Sequence, residues 1–167
     1  LTRFAEARPG RWPGTVVSRL LQAAADAGVF EAVVAAMRSA PDVPRMQHQG
    51  CFLMQVMCTR SEINGDLGAG ARRDRAAQAG AIEAAVEAMR LYPQEEGVQE
   101  WAGSVLYILA CAAAENNKEA AVLRLRRFYP ADTVALLQAA RASFPQNRRL
   151  LVHEPYLLAT LRAATAP

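Results

Sequence analysis

Lysine is all but missing from this chain: of its 19 basic residues only Lys118 is not an arginine, a skew of the kind that coding bias produces. Histidine occurs twice, at His48 and His153, and neither has a Ser or Cys plus an acid nearby that would make an activated nucleophile. Little is left for acid–base chemistry, so no catalytic role is expected. The three cysteines, Cys51, Cys58 and Cys111, are odd in number and match neither a disulfide framework nor paired metal-binding thiols. His48, Cys51 and Cys58 could gather on one helix, but zinc takes four ligands and no second pair is in sight. Reduced core cysteines and no metal or cofactor are expected. Aromatic residues make up 7% of the chain and β-branched ones are sparse, whereas 35 residues are alanine, a balance that favours helix and predicts no strands. The longest uncharged apolar stretch, Trp101 to Ala114, falls short of the roughly 20 residues of a membrane-spanning helix and predicts a buried helix. No secretory or transit segment is visible, yet the chain begins with Leu1 rather than Met. The compartment stays open between the cytoplasm and an organelle reached after loss of an unseen targeting peptide.

What the chain has instead is a repeat. Residues 27–41, AGVFEAVVAAMRSAP, return at a spacing of 52 as residues 79–93, AGAIEAAVEAMRLYP, with nine of fifteen positions identical. The identities recur at helical intervals, so both copies predict one supersecondary unit of a stacked array. A fainter third copy over Ala131–Pro145 keeps the small, apolar and terminal Pro positions but loses the Gly. Pro41, Pro93 and Pro145 then mark equivalent helix ends, because the residue before proline is pushed out of helical geometry. With 167 residues and 52% apolar content the chain suits one folded domain.

The expected organisation is an extended arm over 1–14, holding Trp12 among Pro and Gly, then a repeat domain over 15–167 with copies at about 15–60, 71–112 and 114–165. Each copy begins with a short helix and a glycine turn at Gly28 or Gly80, and two longer helices follow. In the third helix, over roughly 43–59, Met46, Gly50, Leu53 and Met57 form one inward stripe, which Val98, Ala102, Val105 and Leu109 repeat. Gly50 and Ala102 would allow a close helix approach. Residues 61–70, with Gly65, Gly68 and Gly70, predict a flexible insertion; no strand precedes them and no Lys-Ser/Thr pair follows, as a phosphate-cradling loop would need. Pro155 predicts that the last helix begins late, near Glu154 or Pro155.

The pattern Ala-Gly-x-[Phe/Ile]-Glu-Ala-x-Val at Ala27–Val34 and Ala79–Val86, together with Val98-Gln99-Glu100-Trp101-Ala102-Gly103, resembles the armadillo repeat. The resemblance covers about residues 15–112 well and the rest loosely. It implies an all-α fold, a right-handed α-α superhelix of about three three-helix repeats, whose third helices line a concave surface for protein partners. The Trp and Asn pairs with which peptide-carrying members clamp extended peptides are replaced here by Phe52 and Val56, then Ser104 and Ile108. Val and Ile offer no amide to a peptide backbone, so that recognition mode is not expected.

On the implied surface the candidate partner-binding residues are His48, Gln49, Phe52 and Gln55 in the first copy, Glu100, Trp101, Ser104 and Tyr107 in the second, and Tyr156 in the third. Aromatics with polar handles dominate protein interfaces; the alternative, that Phe52, Trp101 and Tyr107 pack between repeats, is equally open at this level. The expected function is a non-catalytic interaction or scaffold module, a peripheral subunit of a larger protein assembly, without nucleic acid, membrane span or small-molecule substrate. Charge leaves one competing reading. Residues 1–60 carry 7 Arg against 4 acids, 61–120 carry 5 basic against 10 acidic, and 121–167 carry 7 against 2. Basic ends with Arg72/Arg73/Arg75, Arg124/Arg126/Arg127 and Arg148/Arg149 would suit a nucleic-acid-binding helical repeat, although no aromatics interleave with them.

Overall fold

Two glycines set the chain into the same turn twice. Gly28 and Gly80 lie at φ 86° and 92°, the left-handed region that costs other residues roughly 1–2 kcal/mol. Each ends one helix and starts the next, with its carbonyl accepting the N–H of Ala32 or Ala84. The computed structural model describes residues 14–59, 68–110 and 129–165. Among them it is all-α, with eight helices and no strand: α1 Gly14–Asp26, α2 Val29–Ser39, α3 Pro44–Cys58, α4 Ala69–Gln78, α5 Ala81–Leu91, α6 Glu96–Ala110, α7 Thr133–Ser143 and α8 Arg148–Thr165.

The 52-residue period is written into the backbone. The residues after α2, α5 and α7, Ala40, Tyr92 and Phe144, have nearly the same angles, φ −133°, −126° and −124° with ψ 61°, 58° and 65°. Their carbonyls accept the N–H of Val43, Glu95 and Asn147 in the same turn. Each turn holds one of the three prolines, which has no N–H for the carbonyl four residues back. In the first two copies a glutamine supplies that donor. Gln47 Nε2 bonds the carbonyls of Met37 and Ala40, and Gln99 Nε2 those of Met89 and Tyr92, all at 2.9 Å.

Packing follows the same order. Helix α3 lies against α6 and α6 against α8, while α2 lies against α5 and α5 against α7. The core between these rows includes Phe30 and its equivalent Ile82, each worth on the order of 2 kcal/mol in apolar burial, with Met37, Met89, Leu106, Leu137 and Leu157. Two arginines close the last turn of α3: Arg72 and Arg73, 0% and 1% exposed, donate their Nε–H groups to the carbonyls of Met57 and Cys58.

Three expectations change. Val98, Ala102, Val105 and Leu109 are all buried, and so are Gly50 and Met57, but Met46 and Leu53 are 37% and 39% exposed. Helix α3 buries Gln47, Cys51, Met54 and Cys58 instead, because it has α6 on one side and no described third helix on the other. The close approach at Gly50 is real: a Cβ there would stand 2.5 Å from Met37 Sδ. The last helix begins at Arg148, not near Glu154, and runs through Pro155. Asn147 caps it, and Leu150, Leu157, Leu158 and Leu161 bury around the proline, which itself stays exposed. That burial outweighs roughly 3 kcal/mol for an interior proline. Of the expected flexible insertion, residues up to 67 lie outside the description, as do Trp12 and Cys111; Gly70 is already inside α4.

Candidate partner-binding surface

Helices α3, α6 and α8 carry their aromatic residues in a row of two contacting groups, one around Trp101 and one around Tyr107. Phe52, 39% exposed, meets Trp101 edge-on with ring centroids 4.8 Å apart, and His48 approaches the same indole at 6.3 Å. The Arg149 guanidinium lies over the Trp101 ring, 4.3 Å from its centroid. Further along, Tyr107 stacks on His153 at 4.2 Å with planes 11° apart and meets Tyr156 edge-on at 5.0 Å. Each aromatic pair contributes about 0.5–1.5 kcal/mol beyond its buried area, and the guanidinium–indole contact about 0.5–1 kcal/mol.

Polar contacts hold the row in place. Glu100 bonds Arg149 Nε at 2.8 Å and fixes the guanidinium over Trp101. Asn147 accepts the N–H groups of Arg149 and Leu150 on Oδ1, as an N-cap does, while its Nδ2 donates to Glu96 at 3.0 Å and Glu100 at 2.9 Å. One buried side chain thus ties the start of α8 to the start of α6. Ser104 Oγ donates to the Glu100 carbonyl and lies 3.3 Å from His153 Nδ1. Burial, then the charge of Arg149, pushes His153 down to about 4, with Glu100 opposing, so the ring is neutral at physiological pH.

The candidate residues are therefore unequally placed. His48, Gln55, Glu100, Trp101, Tyr107 and Tyr156 are half-buried, and Gln49 and Phe52 are exposed. Ser104, 1% exposed, lies beneath the row as a support. Gln49 is hydrogen-bonded to His48 at 3.1 Å, and Gln55 donates to Thr59. Beside Trp101, between the N-terminal ends of α3 and α6, a depression of about 330 Å³ is lined by Pro44, Arg45, His48, Glu95, Gly97 and Val98.

Asn147, Glu96 and the stacking role of Arg149 are absent from the expected set. An Asn just after a Pro-marked turn is the usual sign of a helix start and would have located the cap. No sequence signal pairs Arg149 with Trp101. The thiol of Cys51 is wholly buried and pushed up to about 12, which leaves it protonated and inert. The arginine clusters divide as well. Arg72 and Arg73 are buried, Arg75 faces Asp26 and Glu31, Arg148 is exposed, and Arg124, Arg126 and Arg127 lie outside the described residues. Comparison with protein-family models, curated proteins and solved structures gives no match for this chain.

Proposed function

We propose that the chain is a non-catalytic docking module, built as a short right-handed stack of armadillo-like three-helix repeats, and that the aromatic row across α3, α6 and α8 grips a protein partner. The observation that carries this reading is the row itself. Phe52 is held against Trp101, and His153 and Tyr156 against Tyr107, yet all five remain partly open to solvent. Pre-ordered aromatics of this kind lose little entropy on binding and so make good anchors. The competing nucleic-acid reading is less well supported, since two of its arginines are buried and Arg149 is committed to Glu100 and Trp101.

The test is gentle copurification, followed by binding of whatever copurifies to the native chain and to Trp101→Ala and Tyr107→Ala variants whose circular dichroism matches. Affinity should fall at least about tenfold in both variants and change little between low and moderate salt. Unchanged capture by both variants removes this surface. Affinity that collapses with salt points to phosphates instead.

A further inference from the structure

Among the described residues the row of third helices ends on an open edge at α3. In the 52-residue register Met46, Val98 and Leu150 are one position, and Leu53, Val105 and Leu157 another. Val98 and Leu150 are 2% and 0% exposed, and Val105 and Leu157 are 1% and 0%, whereas Met46 and Leu53 are 37% and 39%. On α8 this position is covered by α6: a Cβ on Gly103 would lie 3.1 Å from Leu150. The same two positions are thus buried wherever a third helix precedes them and bare only on α3.

The contacts along the row also repeat in register. Phe52–Trp101 and Ser104–His153 are the same pair one unit apart, and Gly103–Leu150 and Tyr107–Tyr156 belong to the same set. One more step along the row starts from α8. There the positions of Gly103, Ser104 and Tyr107 are taken by Pro155, Tyr156 and Ala159, of which Pro155 and Ala159 are exposed and all are uncharged. Beside them Leu151 and Val152 are 39% and 63% exposed. The far edge of the row is therefore apolar over these residues, with the exposed Arg148 at its start in the place of Glu96, and they stand where contacts to a following third helix would be made.

We propose that the α8 edge of one copy docks on the α3 edge of a second, head to tail, continuing the row in the register that joins α3 to α6 and α6 to α8. Pro155 then covers Met46 of the second copy, Tyr156 faces its Gln49, and Ala159 meets its Phe52. The contact is heterologous, so it does not close on itself and growth continues past the dimer. Its drive is apolar burial on two helix faces, an interface at the small end of the specific range, so assembly appears only at high concentration. The proposal rests on the helix row and its register, and not on capture of another protein by the aromatic surface.

Sedimentation velocity of the full chain from about 1 to 500 µM tests it, a span matched to weak interfaces. The native chain should show an average mass that rises through dimer without levelling. Met46→Asp, Leu53→Asp and Ala159→Asp change exposed positions, should leave the circular dichroism intact, and should each abolish the rise. A mixture of Met46→Asp with Ala159→Asp should form one heterodimer and nothing larger, because each supplies the edge the other lacks. A native chain that stays monomeric throughout overturns the proposal. So does a dimer blocked by Met46→Asp but untouched by Ala159→Asp, which would be two α3 edges meeting, and so does a mixture that yields no heterodimer.

Discussion

Replacing Gln99 with Leu removes a capping device that composition alone would never single out. The Gln99 amide is 2% exposed and donates two hydrogen bonds of 2.9 Å to the carbonyls of Met89 and Tyr92. Helix ends leave their last carbonyls without partners, and here Pro93 lacks the N–H that would otherwise serve Met89. A leucine of similar length keeps the packing and removes both bonds. Two neutral bonds are worth about 1 kcal/mol each in net terms, and stranding a buried carbonyl costs about 1–3 kcal/mol. The sum, less a small gain from the added apolar surface, is a loss of about 3 kcal/mol. With a urea slope of about 2 kcal/mol per molar, the midpoint should fall by about 1.5 M at unchanged slope. Gln47→Leu should match it closely, because Gln47 makes the same pair of bonds to Met37 and Ala40. A loss below about 1 kcal/mol at both sites would show that water reaches those carbonyls and that the glutamines do not cap.

His153 carries a pH signature. Its folded pKa of about 4 lies below the ordinary 6.5, so the unfolded chain binds the proton first; stability is fully present above pH 6.5 and is lost as pH falls towards 4. Thermal melts of His153→Gln should lose that part of the slope between pH 6.5 and 4, and an unchanged profile would remove His153 as its source. Ala substitutions at Gly28 and Gly80 should each cost about 1–2 kcal/mol from the positive φ alone. At Gly80 the new Cβ would stand 2.8 Å from Arg38 Nη2, the end of a flexible side chain that can swing aside, so thermal melts of Gly80→Ala and Gly28→Ala should fall by similar amounts, and a much larger fall at Gly80 would show that the guanidinium is held in place.

Much of the fold was legible because glycine and proline carry position-specific meaning. The turns at Gly28 and Gly80, the ends at Pro41, Pro93 and Pro145 and the limits of α2 and α3 all follow from residues with few conformational options. Face assignments were less secure. Periodicity placed Met46 and Leu53 with Gly50 and Met57, but it reports which residues share a stripe and not what covers it; on α6 the identical pattern is buried because α3 is there. Pro155 misled for the opposite reason, since a local preference was set against burial of four leucines of the same helix on distant parts of the chain. In the candidate surface the aromatics could be found in register. The guanidinium over Trp101 could not, because Arg149 sits beside Arg148 in sequence and reads as a basic patch, just as Arg72 and Arg73 did before their Nε groups were seen capping α3.

Differences among the copies are as informative as their likeness. The glutamine that serves the proline turn in the first two copies is Leu151 in the third, where Arg141 reaches the Pro145 carbonyl at 3.3 Å and Asn147 anchors the helix start to α6. The turn is therefore held by the Asn147 tie to α6 instead of by an amide bonded to the turn's own carbonyls. That exchange leaves an exposed leucine on α8. At the other end, α3 keeps its glutamine and exposes Met46 and Leu53. Charged residues at these positions would close both edges to further helices. Their apolar character is the reason to look for a further helix beyond each edge.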